Sequence, residues 1–385
     1  MKIAILTTDN RENFRSYNIA IPYFGTAPEA LLQGFTMHPE VEIHVVSCSQ
    51  QPMASPEKLA NNIWFHSLHV PKIGWLRTGY QGCVRAVRRK LKEIQPDIVH
   101  GQGTERDCAI SAVLSDYPNI LTLHGNMRQI AKLNSAKLFS YHWLTSYLEA
   151  WTIYKSVGVV AITSYTRDAV KDLSKQFWVI PNAVDVLFLE VGKNRIFKIS
   201  EEYSSSPIVL VVANISRLKN QNEFIRALDP LVDNKEFQVR FFGACSDSEY
   251  SREFHKMISE RHWCHYGGMI GREELREEFK LASMLALPTL EDNCPMVVLE
   301  AMAAGVPVMA SKVGGVPDLI DGSSTGLFCD PQDPESFSIG VQRLLEDRDF
   351  AHQMAFTAFH EAMNRFHPKV IAERHLEIYR EVLGQ

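Results

Sequence analysis

Short apolar runs separated by longer amphipathic stretches recur along this 385-residue chain, and they do so in two series. Such alternation fits a parallel sheet sandwiched between helices. Parallel neighbours need long crossover connections, and strands covered on both faces read as continuous apolar runs. The first series predicts strands at Lys2–Leu6, Val41–Val46, Ile98–His100, Asn119–Leu123 and Val157–Thr163, ending near Trp178–Ile180. The second predicts Ile208–Ala213, Gln238–Gly243, His265–Tyr266, Met284–Pro288, Val306–Ala310 and Gly326–Phe328. Between them, after Pro181-Asn-Ala-Val-Asp185, a polar, Ser-rich passage from Gly192 to Ser206 reads as an interdomain linker. The expected architecture is α/β: two Rossmann-like, doubly wound parallel-sheet domains facing a cleft, 1–190 and 191–365. Residues 366–385 hold a last helix, roughly Pro368–Leu383, with apolar Val370, Ile371, Leu376, Ile378, Tyr379 and Val382.

The composition excludes several classes of function. A net charge of −5 leaves no basic field to recruit nucleic acid. Seven cysteines are odd in number, scattered and without a C-x-x-C pair, which speaks against a disulfide framework or a zinc site and for a reducing cytosol. The apolar run at Met1–Thr8 is short for a signal peptide, and no apolar stretch approaches the ~20 residues that span a bilayer. The expectation is a cytoplasmic protein, at most peripheral at the inner face of the plasma membrane.

The densest chemistry lies in Leu285–Gly305. A buried strand leads into a polar turn with Glu291, Asp292 and Asn293, and then into a helix opened by Pro295, with Asn293 or Cys294 as cap. The helix start offers free N–H groups and a positive dipole end to a phosphate. Glu300 stands about two turns further in, among apolar residues, where a carboxylate must find donors. Ribose hydroxyls of a nucleotide whose phosphates sit at the helix start would supply them.

Asp292 and Glu300, with seven residues between them just before Ala301-Met-Ala-Ala-Gly305, resemble the acidic signature of retaining nucleotide-sugar glycosyltransferases of family 4, which have the GT-B fold. Family members usually carry Glu where Asp292 stands. The resemblance implies that Glu300 holds the donor ribose, that Asp292 orients the sugar together with the amides near Asn293 and Cys294, and that Met296 also belongs to the donor site. It further implies that the C-terminal helix crosses back to the first domain. In Val212-Ala-Asn-Ile-Ser-Arg-Leu-Lys-Asn220, Lys219 matches the Lys that steadies the donor diphosphate. The matching Arg position is Asn214, and Arg217 lies elsewhere in the same loop. Gly25-Thr26 resembles the Gly-Gly loop that approaches the diphosphate, with its second Gly replaced. Gly243 resembles the glycine loop against the nucleobase. His124, ending a strand, matches the His that reaches the donor sugar, while His100 is open between that surface and a structural role. Pro181-Asn182 and Asp185 read as hinge residues. Gly314-Gly315 read as glycines for tight packing and loop approach.

Two further stretches carry no family match. Arg85–Lys92 reads as a solvated basic helix face, with an anionic membrane surface as the alternative. The aromatics of Phe139–Tyr154 recur at helical spacing and read as core, with an acceptor-binding or membrane surface as the alternative.

The function implied is transfer of a sugar, with retention, from a UDP- or GDP-sugar to a saccharide or lipid-linked saccharide, in cell-surface polysaccharide or glycolipid synthesis. His124, Asp292 and Lys219 would be the catalytic residues. No cofactor or metal is expected, since this fold commonly works without one. The alternatives are a nucleotide-sugar epimerase and a degenerate, non-catalytic GT-B subunit, the latter motivated by Asn214, Asp292 and Thr26.

Overall fold

The computed structural model describes residues 1–133, 135–197, 206–232 and 236–385. The chain divides into two compact units, Met1–Ala183 with Pro368–Gln385, and Val184–His367.

The first unit is built on an eight-stranded sheet. Its strands are β1 (Lys2–Leu6), β2 (Glu42–Ser49), β3 (Lys58–Ala60), β4 (Ile63–His69), β5 (Ile98–Gln102), β6 (Asn119–Leu123), β7 (Gly158–Ala161) and β8 (Phe177–Val179). They are ordered β3-β4-β2-β1-β5-β6-β7-β8. All pairs are parallel except β3–β4. The edge pair β3 and β4 is additional to the strands the apolar runs predict: Ile-Trp-Phe-His-Ser-Leu-His mixes polar with apolar residues, and Lys-Leu-Ala is three residues long. The two faces of the sheet are covered by separate cores, one around Ile3, Ile43 and Ile98 and the other around Ala4, Val46 and Val99. The helix Pro368–Leu383 buries Ile371, Ala372, Leu376, Ile378 and Tyr379 in the first of these.

The second unit has six parallel strands, β9 (Ile208–Val212), β10 (Gln238–Phe242), β11 (Cys264–Tyr266), β12 (Met284–Leu287), β13 (Val308–Ser311) and β14 (Leu327–Cys329). Their order, β11-β10-β9-β12-β13-β14, reverses direction between β9 and β12. In open parallel sheets that reversal is where connecting loops diverge and a ligand is received, beyond the carboxyl ends of the strands.

The linker expected at Gly192–Ser206 is corrected in its first part, since the helix Val186–Phe197 runs through it; residues 198–205 lie outside the described residues. Asp185 Oδ1 accepts the Leu187 N–H at 3.0 Å and caps that helix. Gly192 is there for close packing: a Cβ at this position would stand 2.1 Å from the carbonyl oxygen of Ala303. Among the described residues no helix is long and apolar enough to cross a membrane.

The helix Gln81–Ile94 buries Cys83, Val84, Val87, Leu91 and Ile94, leaving its cations on the outer face, where Arg88 pairs with Asp116 and Lys90 with Glu93. The aromatic helix, Tyr141–Lys155, is a correction. Its buried residues are Thr145, Glu149, Thr152 and Ile153, and of the aromatics Trp151 does pack against the core, whereas Tyr141, Tyr147 and Tyr154 are exposed.

Candidate active site at the switch point of the second sheet

The loops after β9 and β12 leave the sheet side by side at its reversal. They are stitched together by Leu290 N–H donating to Leu218 O at 2.7 Å and by the Thr289 hydroxyl, 3.1 Å from the same carbonyl. The first loop turns through Arg217–Lys219 and a left-handed Asn220 (φ 60°) into the helix Gln221–Val232. This turn brings the Lys219 ammonium onto the Asp292 carboxylate, a partly buried ion pair. Asp292 is held from behind as well: its carbonyl accepts the Gly315 N–H at 3.0 Å. Gly314 beside it has φ +54°, and a Cβ there would lie 1.9 Å from that carbonyl oxygen. Only glycine fits both the backbone and the space.

The following helix runs Met296–Ala303, one residue later than expected. Pro295 occupies the capping position (φ −65°, ψ 110°) without a side-chain cap. Every residue of the helix after Met296 is buried. Glu300 is 2% exposed, and its Oε1 accepts from Arg272 Nη1 at 2.6 Å. Burial pushes the Glu300 carboxyl up from its ordinary pKa, and Arg272 pulls it back down. The Arg272 guanidinium is itself steered by Asp185 Oδ2 at 3.5 Å and by the Phe188 ring, 4.9 Å from its centre. Arg272, at the start of the helix Arg272–Leu281, carries no motif and stands 28 residues from Glu300. The one available signal was indirect, namely that a carboxylate inside an apolar helix needs a cation from somewhere.

The remaining donor-loop candidates of this unit gather along the same sheet edge. Asn214 is exposed, and its Oδ1 accepts the Ala244 N–H at 3.3 Å, which ties it to the loop after β10. Gly243 in that loop has φ +147°, and its N–H donates to Gly268 O at 2.8 Å. Arg217 is exposed next to Lys219. Asn293 and Met296 are half-buried and Cys294 is buried, all at the helix start.

The other predicted residues belong to the first unit. Gly25 (φ +91°) precedes the helix Thr26–Thr36, whose first residue is Thr26. His124, after β6, is half-buried; its Nε2 lies 2.7 Å from Gln102 Oε1, and burial lowers its pKa. His100 is fully buried, with Nδ1 2.6 Å from the Tyr379 hydroxyl and Nε2 2.7 Å from that of Thr122. Burial drives its pKa well below the usual value, so it stays neutral. His100 therefore joins β5 and β6 to the C-terminal helix within one polar network. Cys48, Cys83 and Asp107 form a second buried cluster, which their scattered positions do not announce. A hydrogen bond to Cys83, reinforced by burial, keeps the Cys48 thiol protonated.

Residues 35–187 match the family described as Glycosyltransferase Family 4, and residues 192–360 match Glycosyl transferases group 1. An uncharacterized glycosyltransferase of Methanocaldococcus jannaschii is 23% identical over 250 residues, 62% of this chain and 64% of that relative's length. Sucrose-phosphate synthase from Thermosynechococcus elongatus has a similar structure: TM-score 0.77 at 17% identity, covering 100% of this chain and 99% of that one. The Anabaena protein HepE, solved with UDP-glucose, gives 0.72 at 16% identity over 99% of this chain and 100% of its own. Two matched halves in the right order, on two Rossmann-like sheets, place the chain: it belongs to the family 4, group 1 glycosyltransferases and has their GT-B fold.

Proposed function

We propose that this chain transfers a sugar, with retention, from a nucleoside diphosphate sugar to a saccharide or lipid-linked acceptor. The observation that carries the reading is the pair of acid–cation contacts at the sheet reversal, Lys219 with Asp292 and Arg272 with Glu300. Lys219 has three N–H donors, so it can keep Asp292 and still take a phosphate oxygen. Its charge then opposes the negative charge that grows on the departing diphosphate. Glu300, held by Arg272, accepts two ribose hydroxyls. The amides at the start of Met296–Ala303 face the phosphates. Asp292, fixed by Gly315 and Lys219, orients the sugar. The Anabaena protein of like fold, recorded with UDP-glucose, supports a donor of this class.

The test is product analysis with a panel of nucleoside diphosphate sugars, with and without candidate acceptors. The reading predicts release of the nucleoside diphosphate that speeds up with an acceptor, and a glycoside of the donor's own anomeric configuration by NMR. An isomerised free sugar without acceptor would make the chain an epimerase. Inverted product would remove retention.

A further inference from the structure

The helix Tyr141–Lys155 is amphipathic the wrong way round for a helix closing a core. Three of its four buried residues are polar and supplied with partners from within, while Ile153, Leu148 and Trp151 pack against the core. Glu149 accepts from the Thr104 hydroxyl at 2.5 Å and from the Met127 and Arg128 N–H groups at 3.2 Å, while Thr145 and Thr152 bond back to helix carbonyls. The opposite stripe, at four- and seven-residue steps, carries Trp143, Tyr147 and Tyr154. Tyr147 is 67% and Tyr154 69% exposed, and the Trp143 and Tyr147 rings stack 6.1 Å apart. The stripe continues into the preceding turn, where Phe139 is 72% exposed and packs on Trp143 at 5.3 Å. Phe139 holds φ +62°, a conformation a bulky residue adopts only when its surroundings impose it, and here it turns the ring outward.

Charge says what such a face meets. From Lys132 to Val157 the sequence holds three lysines, Lys132, Lys137 and Lys155, all exposed. The one carboxylate in that span is Glu149, which is fully buried on the far side of the helix. Glu105, from a neighbouring segment, acts on Tyr141 at the start of the helix, but the face of Phe, Trp and Tyr has three exposed lysines and no exposed carboxylate in its own segment. It combines rings that favour the boundary between water and hydrocarbon with charge that favours anionic headgroups. We propose that the turn at Leu138–Phe139 and the outer stripe of Tyr141–Lys155 form a docking surface for an anionic lipid bilayer. The basic helix Gln81–Ile94, first in line for that role by sequence, has Arg88 and Lys90 engaged with Asp116 and Glu93.

The test is co-sedimentation of the full chain with vesicles of phosphatidylcholine alone and of phosphatidylcholine mixed with phosphatidylglycerol. Binding to the mixed vesicles only, falling with salt, is the predicted result. Each lysine near such a surface contributes about five-fold in affinity, so the triple variant Lys132→Gln, Lys137→Gln, Lys155→Gln loses about 100-fold. The variant Phe139→Ser, Tyr147→Ser, Tyr154→Ser keeps the wild-type melting temperature, since all three rings are exposed, and loses the binding. No binding to mixed vesicles, equal binding to both kinds, or undiminished binding by the aromatic variant overturns the proposal. So does light scattering that shows a wild-type dimer made monomeric by the aromatic substitutions, which would assign the face to a second copy.

Discussion

Arg272→Met separates an ion pair in which the Glu300 side chain is 3% and the Arg272 side chain 29% exposed. Removing one partner of a buried pair costs about 3–5 kcal/mol, most of it the penalty of a charge left without a counter-ion. Arg272 is partly solvated, so the lower end, about 3 kcal/mol, is the working figure. A unit of this size loses about 2–4 °C in melting temperature per kcal/mol, which makes the expected drop roughly 6–12 °C at neutral pH. The pH dependence is the sharper signature. Burial already holds the folded pKa of Glu300 above its ordinary value, and Arg272 opposes that shift. Without Arg272 the folded pKa rises further, so the folded state binds its proton more tightly than the unfolded chain does. Stability is then retained below the ordinary carboxylate pKa and lost as pH rises through the raised folded pKa. The deficit of Arg272→Met relative to wild type should therefore be small near pH 4 and grow toward neutrality. The assay is thermal unfolding across that range for wild type, Arg272→Met, Glu300→Gln and the double variant. The double variant should recover part of the loss, because it has no buried charge to strand. A deficit independent of pH, or a double variant no better than Arg272→Met, refutes the account of Arg272 as the counter-ion of Glu300.

Lys219→Ala should weaken nucleoside diphosphate binding about 10- to 100-fold, the loss of one charge-assisted hydrogen bond; calorimetric titration with UDP and GDP measures it, and unchanged affinity removes Lys219 from the diphosphate. Gly314→Ala should destabilise by more than about 1 kcal/mol, since the residue has φ +54° and its Cβ would collide with the Asp292 carbonyl; an unchanged melting temperature would show the loop free to move aside. Tyr379→Phe should cost about 1–3 kcal/mol by leaving buried His100 Nδ1 with only the long 3.5 Å contact to Gln102 Nε2, read as a lower unfolding midpoint; no change would mean the Tyr379 hydroxyl contributes nothing to stability.

What the sequence discloses about this protein divides along a physical line. Strands β1, β9 and β12 are short apolar runs because they are buried on both faces, and that pattern is local. Strand β4 mixes His and Ser among apolar residues near the sheet edge, so no run betrays it. Gly192 looks like linker composition, yet it serves contact between two helices, which is tertiary information. The aromatic helix shows the limit of periodicity, which tells which residues share a face and is silent on which face is inside. Glu149 is inward because Thr104, Met127 and Arg128 supply partners there, and Thr145 and Thr152 can join it because their hydroxyls bond to carbonyls of their own helix. Lys219, Asp292 and Glu300 were visible through a motif. Arg272 was not, because its role exists only where two distant segments meet.

The most direct measurement is a thermal-shift panel of UDP-, GDP-, ADP- and dTDP-sugars on wild type and Glu300→Ala. Ligand at 100 times its dissociation constant stabilises a protein by about 2.7 kcal/mol, a shift easily seen. The account predicts stabilisation by donors of one base class and its loss in Glu300→Ala. No shift with any donor, or an equal shift in the variant, would contradict a donor site built on Glu300 and Lys219.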